Sequence, residues 1–359
     1  MNKTLTSASV TAVLALASFG ALADGPNFYG RLELAVTNTD ASSTVQSGTN
    51  NASVGDSGTY LENNFSNVGV KGSEKLSDGI EAVYQMEFQV ENTSSKGDTF
   101  KPRNTYLGLK SAAGTVLVGR NDTVFKQSEG GVDLFGNTNG DMDRLLTGQT
   151  RSADGIWYYS PKIADLFSIN ATYLLDDNNA VYKTIKVDDE DVKVKVDIGS
   201  QYAISITMGD KALKQQAFYA AAAYNKGISG VDAYRGVAQV KLGEFKLGGL
   251  YQHTEKATDS SVDGDSFIVN LAYNLNGVNL KAEYGQDDAG FGKYFKSLGG
   301  VAGADAEVQN IILGADYRVS KSTMVFGHYA MYEGEYQVEG VKVDLKDENV
   351  FTVGVRYDF

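Results

Sequence analysis

Apolar and polar residues alternate with a period of two along most of this chain. In 28–36, Phe28, Leu32, Leu34 and Val36 share one parity with Gly30, while Tyr29, Arg31, Glu33 and Ala35 share the other. The alternation is cleaner from Ile80 to Val90. Ile80, Ala82, Tyr84, Met86, Phe88 and Val90 form one face, and Glu81, Gln85, Glu87 and Gln89 the other, with Val83 as its exception. Such alternation predicts strands with one apolar and one polar face. Short turns are expected at 76–79, 111–114, 160–165, 209–212, 243–244, 274–277 and 319–322. Long connections are expected at 39–63, 92–101, 121–150, 176–195, 226–233, 255–265, 286–305 and 333–347. Long and short alternate, so seven short and eight long connections join sixteen predicted strands, two of them at about 167–175 and 197–208.

An even number of antiparallel strands, with short turns at one end and long loops at the other, is the pattern of an outer-membrane barrel. A soluble sandwich would instead turn the apolar parity towards a shared interior. Tyr29, Tyr106, Trp157, Tyr173, Tyr273, Tyr284, Tyr317 and Tyr357 are expected near strand ends on the apolar faces. Aromatic rings there fit membrane interfaces, and closure removes the edges so long a meander would expose.

The connection 121–150 is unusual. Loops of that length without regular structure are uncommon, and when ordered they are usually functional. It carries Val124, Phe125, Val132, Leu134, Phe135, Leu145 and Leu146 as apolar anchors, Glu129, Asp133, Asp141 and Asp143 as acids, and Arg120 and Arg151 at its two ends. This composition suits a segment folded into a water-filled space, although an ordinary surface loop would also accommodate it.

Composition narrows the classes. The chain has 359 residues, with 40 glycines, 3 prolines, 21 tyrosines and no cysteine. Residues 1–23 read as a signal peptide: Lys3, an apolar run at 10–19 too short to span a bilayer, and Ala21-Leu22-Ala23 as the cleavage site. The mature chain is then expected to be 24–359, a single barrel domain. Removing Lys3 with that segment takes the formal charge from −13 to −14. That argues against nucleic acid as a partner, which would want a basic patch. No mature segment is apolar for long enough to be a membrane helix, which is also true of membrane barrels.

The carboxyl terminus is the most specific stretch. In 351–359 every odd position is apolar or aromatic, and the last residue is Phe359. Here the sequence resembles the Gram-negative general porins, whose last strand ends in phenylalanine with an aromatic two residues earlier. Tyr29-Gly30-Arg31, 67–72 with Glu74, 103–109 and 114–120 are similar to the family's first, second, fourth and fifth strands. The resemblance covers the mature chain. It implies a 16-stranded antiparallel transmembrane barrel whose third long loop, 121–150, folds inward and narrows the pore. It implies a homotrimer in the Gram-negative outer membrane, in contact with its lipid. It also implies that the barrel-assembly machinery reads Phe351, Tyr357 and Phe359. A basic side of the constriction is expected from Arg31, Arg103, Arg120 and Arg151, and an acidic side from Glu129, Asp133 and Asp141. The sequence departs from the family at Asn67, where an arginine is frequent. It departs again at Asp133-Leu134-Phe135-Gly136-Asn137, where a Pro-Glu-Phe-Gly-Gly run is frequent.

The expected function is passive diffusion of ions and small hydrophilic solutes, with a weak cation preference. A substrate-specific channel or a surface adhesin is the alternative; a sugar channel would need aromatic residues on the lumenal parity. An enzyme needs a base, and of the two histidines neither His253 nor His328 has a nucleophile or an acid beside it in a recognisable arrangement. No cofactor is implied. No metal site is implied either: cysteine is absent, no histidines are paired, and the acidic run 188–191 lacks the spaced ligands of a calcium loop.

Overall fold

A computed structural model describes residues 25–40, 57–93, 97–176, 179–187, 190–297, 306–338, 340–344 and 347–359. The expected signal peptide with Ala23, and residues 188–189 of the acidic run 188–191, lie outside the described residues.

Sixteen antiparallel strands close into a barrel. They are β1 (Asn27–Thr39), β2 (Gly58–Asn63, resuming as Asn67–Ser77), β3 (Ile80–Val90), β4 (Phe100–Ser111), β5 (Gly114–Asp122), β6 (Arg151–Tyr159), β7 (Phe167–Leu174) and β8 (Tyr202–Gly209). They continue as β9 (Phe218–Lys226), β10 (Val231–Leu242), β11 (Phe245–Lys256), β12 (Asp259–Leu275), β13 (Val278–Asp287), β14 (Glu307–Arg318), β15 (Thr323–Val338) and β16 (Glu348–Asp358). Each pairs with its neighbours in sequence, and β16 returns to β1 in the register Leu32↔Tyr357, Leu34↔Val355 and Val36↔Val353.

The burial pattern is that of a membrane barrel. On β1, Leu32 and Val36 are 46% and 52% exposed, while Glu33 and Thr37 are 4% and 0% exposed. Apolar side chains point out and polar ones in. In water each outward leucine or valine would forgo about 1.5 to 3 kcal/mol of burial; against lipid it does not.

Several connections differ from expectation. The long connection 176–195 is partly a hairpin of Val181–Val187 with Glu190–Val196, and 333–347 holds Val341–Asp344 folded back on the end of β15. Two connections expected to be long are tight, because β9 runs to Lys226 before β10 starts at Val231, and β11 to Lys256 before β12 starts at Asp259. Conversely, the turn after β8 extends to residue 217. Asp210 organises it: its carboxylate accepts the backbone N–H groups of Gln215, Lys214 and Ala212 at 2.7, 2.8 and 2.9 Å. These bonds hold its carboxyl down at about 2.

Three aromatics expected on the lipid side face inward. Trp157 is fully buried and donates to the carbonyl of Asp122, and Tyr29 and Tyr106 bond polar lumenal side chains of β3. Each lies on its strand's polar parity, so strand position set its direction rather than ring chemistry.

Candidate functional site

The long connection 121–150 lies inside the barrel. Its root is closed by Thr123 N–H donating to the carbonyl of Thr150 at 3.1 Å. Thr123 caps a single turn of helix, Val124–Gln127, its hydroxyl accepting from Lys126 N–H at 3.2 Å. Val124 and Phe125 are buried, and the Arg235 guanidinium from β10 covers the Phe125 ring at 4.2 Å.

Beyond that turn the loop has little regular structure, so its backbone groups need partners. Lumenal side chains supply them in sequence around the wall. Tyr219 on β9 donates to the carbonyl of Ser128 at 3.1 Å, and Gln239 on β10 accepts Gly131 N–H at 2.9 Å. Asn270 on β12 donates to the carbonyl of Val132, and Lys281 on β13 to that of Leu134 at 2.9 Å. Tyr332 on β15 donates to the carbonyl of Asn139 at 2.7 Å. The Asn139 amide reaches Glu62 on β2 at 2.5 Å. On the return, Arg235 and Gln252 donate to the carbonyl of Thr147 at 3.2 and 3.1 Å.

Packing reinforces these bonds. Val132, Phe135, Met142, Leu145 and Leu146 from the loop form one buried cluster with Val237, Leu250, Ile268, Ile312 and Val350 of the wall. Leu134 packs at its edge. The tightest fastening is ionic. Arg144, at the end of the short helical turn Met142–Arg144, donates to Glu348 on β16 at 2.7 Å, and both side chains are nearly inaccessible. Tyr332 and Tyr294 lie against the same guanidinium at 4.7 and 5.6 Å.

Of the four arginines expected on the basic side, Arg151 adjoins both Arg103 and Arg120, and Arg31 stands apart. Arg31 bonds Asp358 at 2.9 Å and approaches Glu33 at 3.7 Å. It shares with Glu129 and Asp133 a recess of about 300 Å³, together with Lys281, His328 and Arg356. Arg103 on β4 pairs with Glu87 on β3 at 2.5 Å, and Arg151 at the start of β6 with Asp122 at 3.1 Å. Arg120 stands at a register irregularity between β5 and β6 and lines a different recess, of about 710 Å³, with Arg151, Asp154 and Gln201. Asp141 is occupied within the loop. Its carboxylate accepts the N–H groups of Asn137 at 2.7 Å and Asp143 at 2.9 Å.

The loop acids are electrostatically crowded. Burial, with the carboxylates of Asp141, Glu129 and Glu283 nearby, pushes Asp133 well above the ordinary aspartate range. Burial also raises Glu129, against the pull of Lys126 and Arg235. Burial and then Asp141 push Asp143 up to about 7, opposed by its ion pair with Lys293.

Phe351, Tyr357 and Phe359 all lie on the outer surface, 52%, 46% and 60% exposed. The wall residues that hold the loop, Arg235, Gln252, Glu348 and Tyr332, did not stand out in the sequence. The apolar part of the same wall does carry a signal, a failure of alternation: Phe267-Ile268-Val269 and Ile311-Ile312-Leu313 are apolar on both parities. Strands buried on both faces read this way, so such runs mark where something covers the lumenal wall.

Comparison with known sequences and structures agrees with this geometry. A sequence model of a family described as Gram-negative porin matches residues 9–337. The chain is 25% identical over 317 residues to the major outer membrane protein P.IB of Neisseria sicca, covering 82% of this chain and 84% of that protein. The corresponding protein of Neisseria meningitidis strain H44/76 is 25% identical over 310 residues, with coverage of 82% and 83%. Among solved structures, an anion-selective porin from Comamonas acidovorans superposes with a TM-score of 0.70 at 20% identity, covering 94% of this chain and all of that one. OmpF of Salmonella typhi, in complex with daunomycin, superposes with a TM-score of 0.66 at 15% identity and coverage of 94% and 98%.

Proposed function

This chain belongs to the Gram-negative porin family, and from that premise we propose how its interior filters solutes. It is an outer-membrane protein that forms a diffusion channel. Loop 121–150 narrows the water-filled lumen and leaves a lane for ions and small hydrophilic solutes along the wall of β3 to β6. One observation carries this reading: beyond its first turn, which packs on Leu117 and Trp157 and bonds Tyr159, the loop's bonds run along the arc from β9 round to β2, away from β3 and β4.

Charge along the lane is nearly balanced. Arg103 faces Glu87, and Arg151 faces Asp122, which Lys126 also approaches at 3.6 Å. Glu129 and Asp133 line a separate recess with Arg31. Fields in a pore are screened within about 8 Å at physiological salt, so only these charges act on a passing ion. With Asn67 where the family often carries an arginine, the balance favours cations weakly. Arg31, Arg103, Arg120 and Arg151 are the basic groups of this filter, and Glu129, Asp133 and Asp141 its acids. The protein acts as a homotrimer, by analogy with the OmpT of Vibrio cholerae described in trimer form. Phe351, Tyr357 and Phe359 present the assembly signal, after removal of 1–23.

Planar-bilayer recording tests this. Current steps proportional to salt and a reversal potential showing modest potassium preference are expected. Absence of conductance would sink the channel reading, and a clear chloride preference would sink the assigned sign. Deletion of 128–141 in a barrel that still folds should raise conductance; unchanged conductance would show that the loop does not set the width.

A further inference from the structure

A hairpin at the short-turn end of a barrel needs few residues, and β10 meets β11 through Gly243 and Glu244 alone. The connection from β8 to β9 is longer than a reversal requires, running over 210–217. Its two ends are tied to the wall. Asp210 N–H donates to the carbonyl of Phe218 at 3.0 Å, and Lys241 N–H on β10 to that of Ala217 at 2.7 Å. Between them the Asp210 carboxylate, through the three N–H groups it accepts, fixes the course of the chain.

One residue of this turn is out of place in a surface reversal. Leu213 is 6% exposed, while Lys211, Ala212, Lys214 and Gln215 around it are exposed. Its backbone sits at a φ of +54°, in the left-handed region that favours glycine. A leucine there is strained, and persists only where its surroundings over-determine it. Those surroundings are the filter. Leu213 belongs to the same buried cluster as Val132 of the inward loop and Tyr219, Val237 and Leu250 of the wall. The carbonyl of Lys211 approaches Gly131, where a β-carbon would lie 3.6 Å from it. Gly131 and Leu134 of the loop, with Lys211 and Leu213 of the turn, enclose a recess of about 240 Å³ against the wall of β10 to β14.

The loop is therefore held from two directions. Wall side chains bond its backbone from the side, and the turn meets 131–134 from the short-turn end. Sideways bonds alone leave the loop free to slide along the barrel axis. A packed contact along the axis removes that freedom. We propose that the turn 210–217 is part of the filter, with Leu213 as a positioning residue that props 131–134 from the short-turn side and so fixes the width of the lane. This rests on the reading of loop 121–150 as the element that narrows the lumen.

The test uses the full-length folded protein in a planar bilayer. Leu213→Gly removes the side chain and suits the left-handed backbone, so the turn itself should survive. It should raise both the single-channel step and the open-channel noise. Leu213→Met, which restores apolar bulk, should return both to the wild-type values. Lys214→Ala, on the exposed side of the turn, should change neither. Where Leu213→Gly gives no heat-modifiable barrel, Leu213→Ala takes its place with the same expected shift. Wild-type steps and noise from the folded variant would overturn the prop even if its melting temperature falls, since a merely structural leucine would move stability alone. The loop deletion keeps the two readings apart. If removing 128–141 raises conductance and Leu213→Gly does not, the loop narrows the lumen without the turn. If neither changes conductance, the narrowing falls and the prop with it.

Discussion

The ring of Phe359 rests on Gly30, so close that a β-carbon there would come within 2.7 Å of its Cε2. The same two residues exchange both backbone bonds, Gly30 N–H to Phe359 O at 2.9 Å and Phe359 N–H to Gly30 O at 3.0 Å. The last residue of the chain therefore completes the seam with the first strand, and Tyr357 stacks beside it at 6.1 Å.

Deleting Phe359 should lower the amount of folded barrel in the outer membrane while synthesis continues. Gly30→Leu should do the same with the terminal residue intact, because its side chain must displace the ring. Electrophoresis of unheated against heated protein reads both. Normal amounts of heat-modifiable barrel from the Phe359 deletion would remove the terminus from any role in assembly.

Separating Arg144 from Glu348 should free the descending half of the inward loop. Breaking a buried pair by removing one partner costs about 3 to 5 kcal/mol. Glu348→Ala should therefore produce a channel with larger, noisier conductance and a lowered melting temperature. Quiet, wild-type steps from a folded Glu348→Ala protein would show that the apolar cluster alone holds the loop.

Selectivity should depend on pH. Asp133 and Glu129 are raised and Asp143 reaches about 7, so the folded loop binds protons that the unfolded chain releases nearer 4. A raised carboxyl contributes stability below its unfolded pKa and loses it as pH rises through the folded value. Between pH 5 and pH 9 the loop should gain negative charge, strengthening cation preference and loosening the loop. Reversal potentials across that range check the sign; a preference that weakens as pH rises contradicts it. Asp143→Asn should flatten the change near pH 7.

Neutralising Arg103 should shift selectivity further towards cations. A unit charge about 8 Å from a permeating ion is worth about 0.5 kcal/mol in water, or roughly a twofold change in permeability ratio. Arg103→Gln also leaves Glu87 without its ion pair, which adds to the shift. An unchanged reversal potential would place the ions' path away from β4.

The barrel was legible because its physics is local: one side chain in two meets lipid, and that period survives in the sequence from Phe28 to Phe359. The loop's inward course was legible in part, since Phe125, Phe135 and Leu145 needed something to bury them. Their partners were not, because Ile268 or Ile312 on a lumenal parity looks like a defect until the loop is placed over it. Tyr29 and Trp157 face the lumen for the converse reason: strand position, not ring chemistry, sets a side chain's direction. That Arg31 stands apart from Arg103, Arg120 and Arg151 is not legible, because sequence carries no information about which arc of the barrel each strand occupies. Arg31 and Arg120 proved to line separate recesses.

The fastening of Arg144 to Glu348 joins residues 204 positions apart. Along the chain the loop comes before every strand from β9 to β16 that receives it. When it is synthesised, its backbone carbonyls have no partners and its apolar anchors no wall. Contacts of such separation form late and slowly. The order of events is thereby constrained: the loop gains its ionic fastening only once β16 has brought Glu348 to the lumenal wall. The strand that makes the seam at Gly30 and Phe359 also carries Glu348, so closing the barrel and fastening its filter are two outcomes of placing one strand.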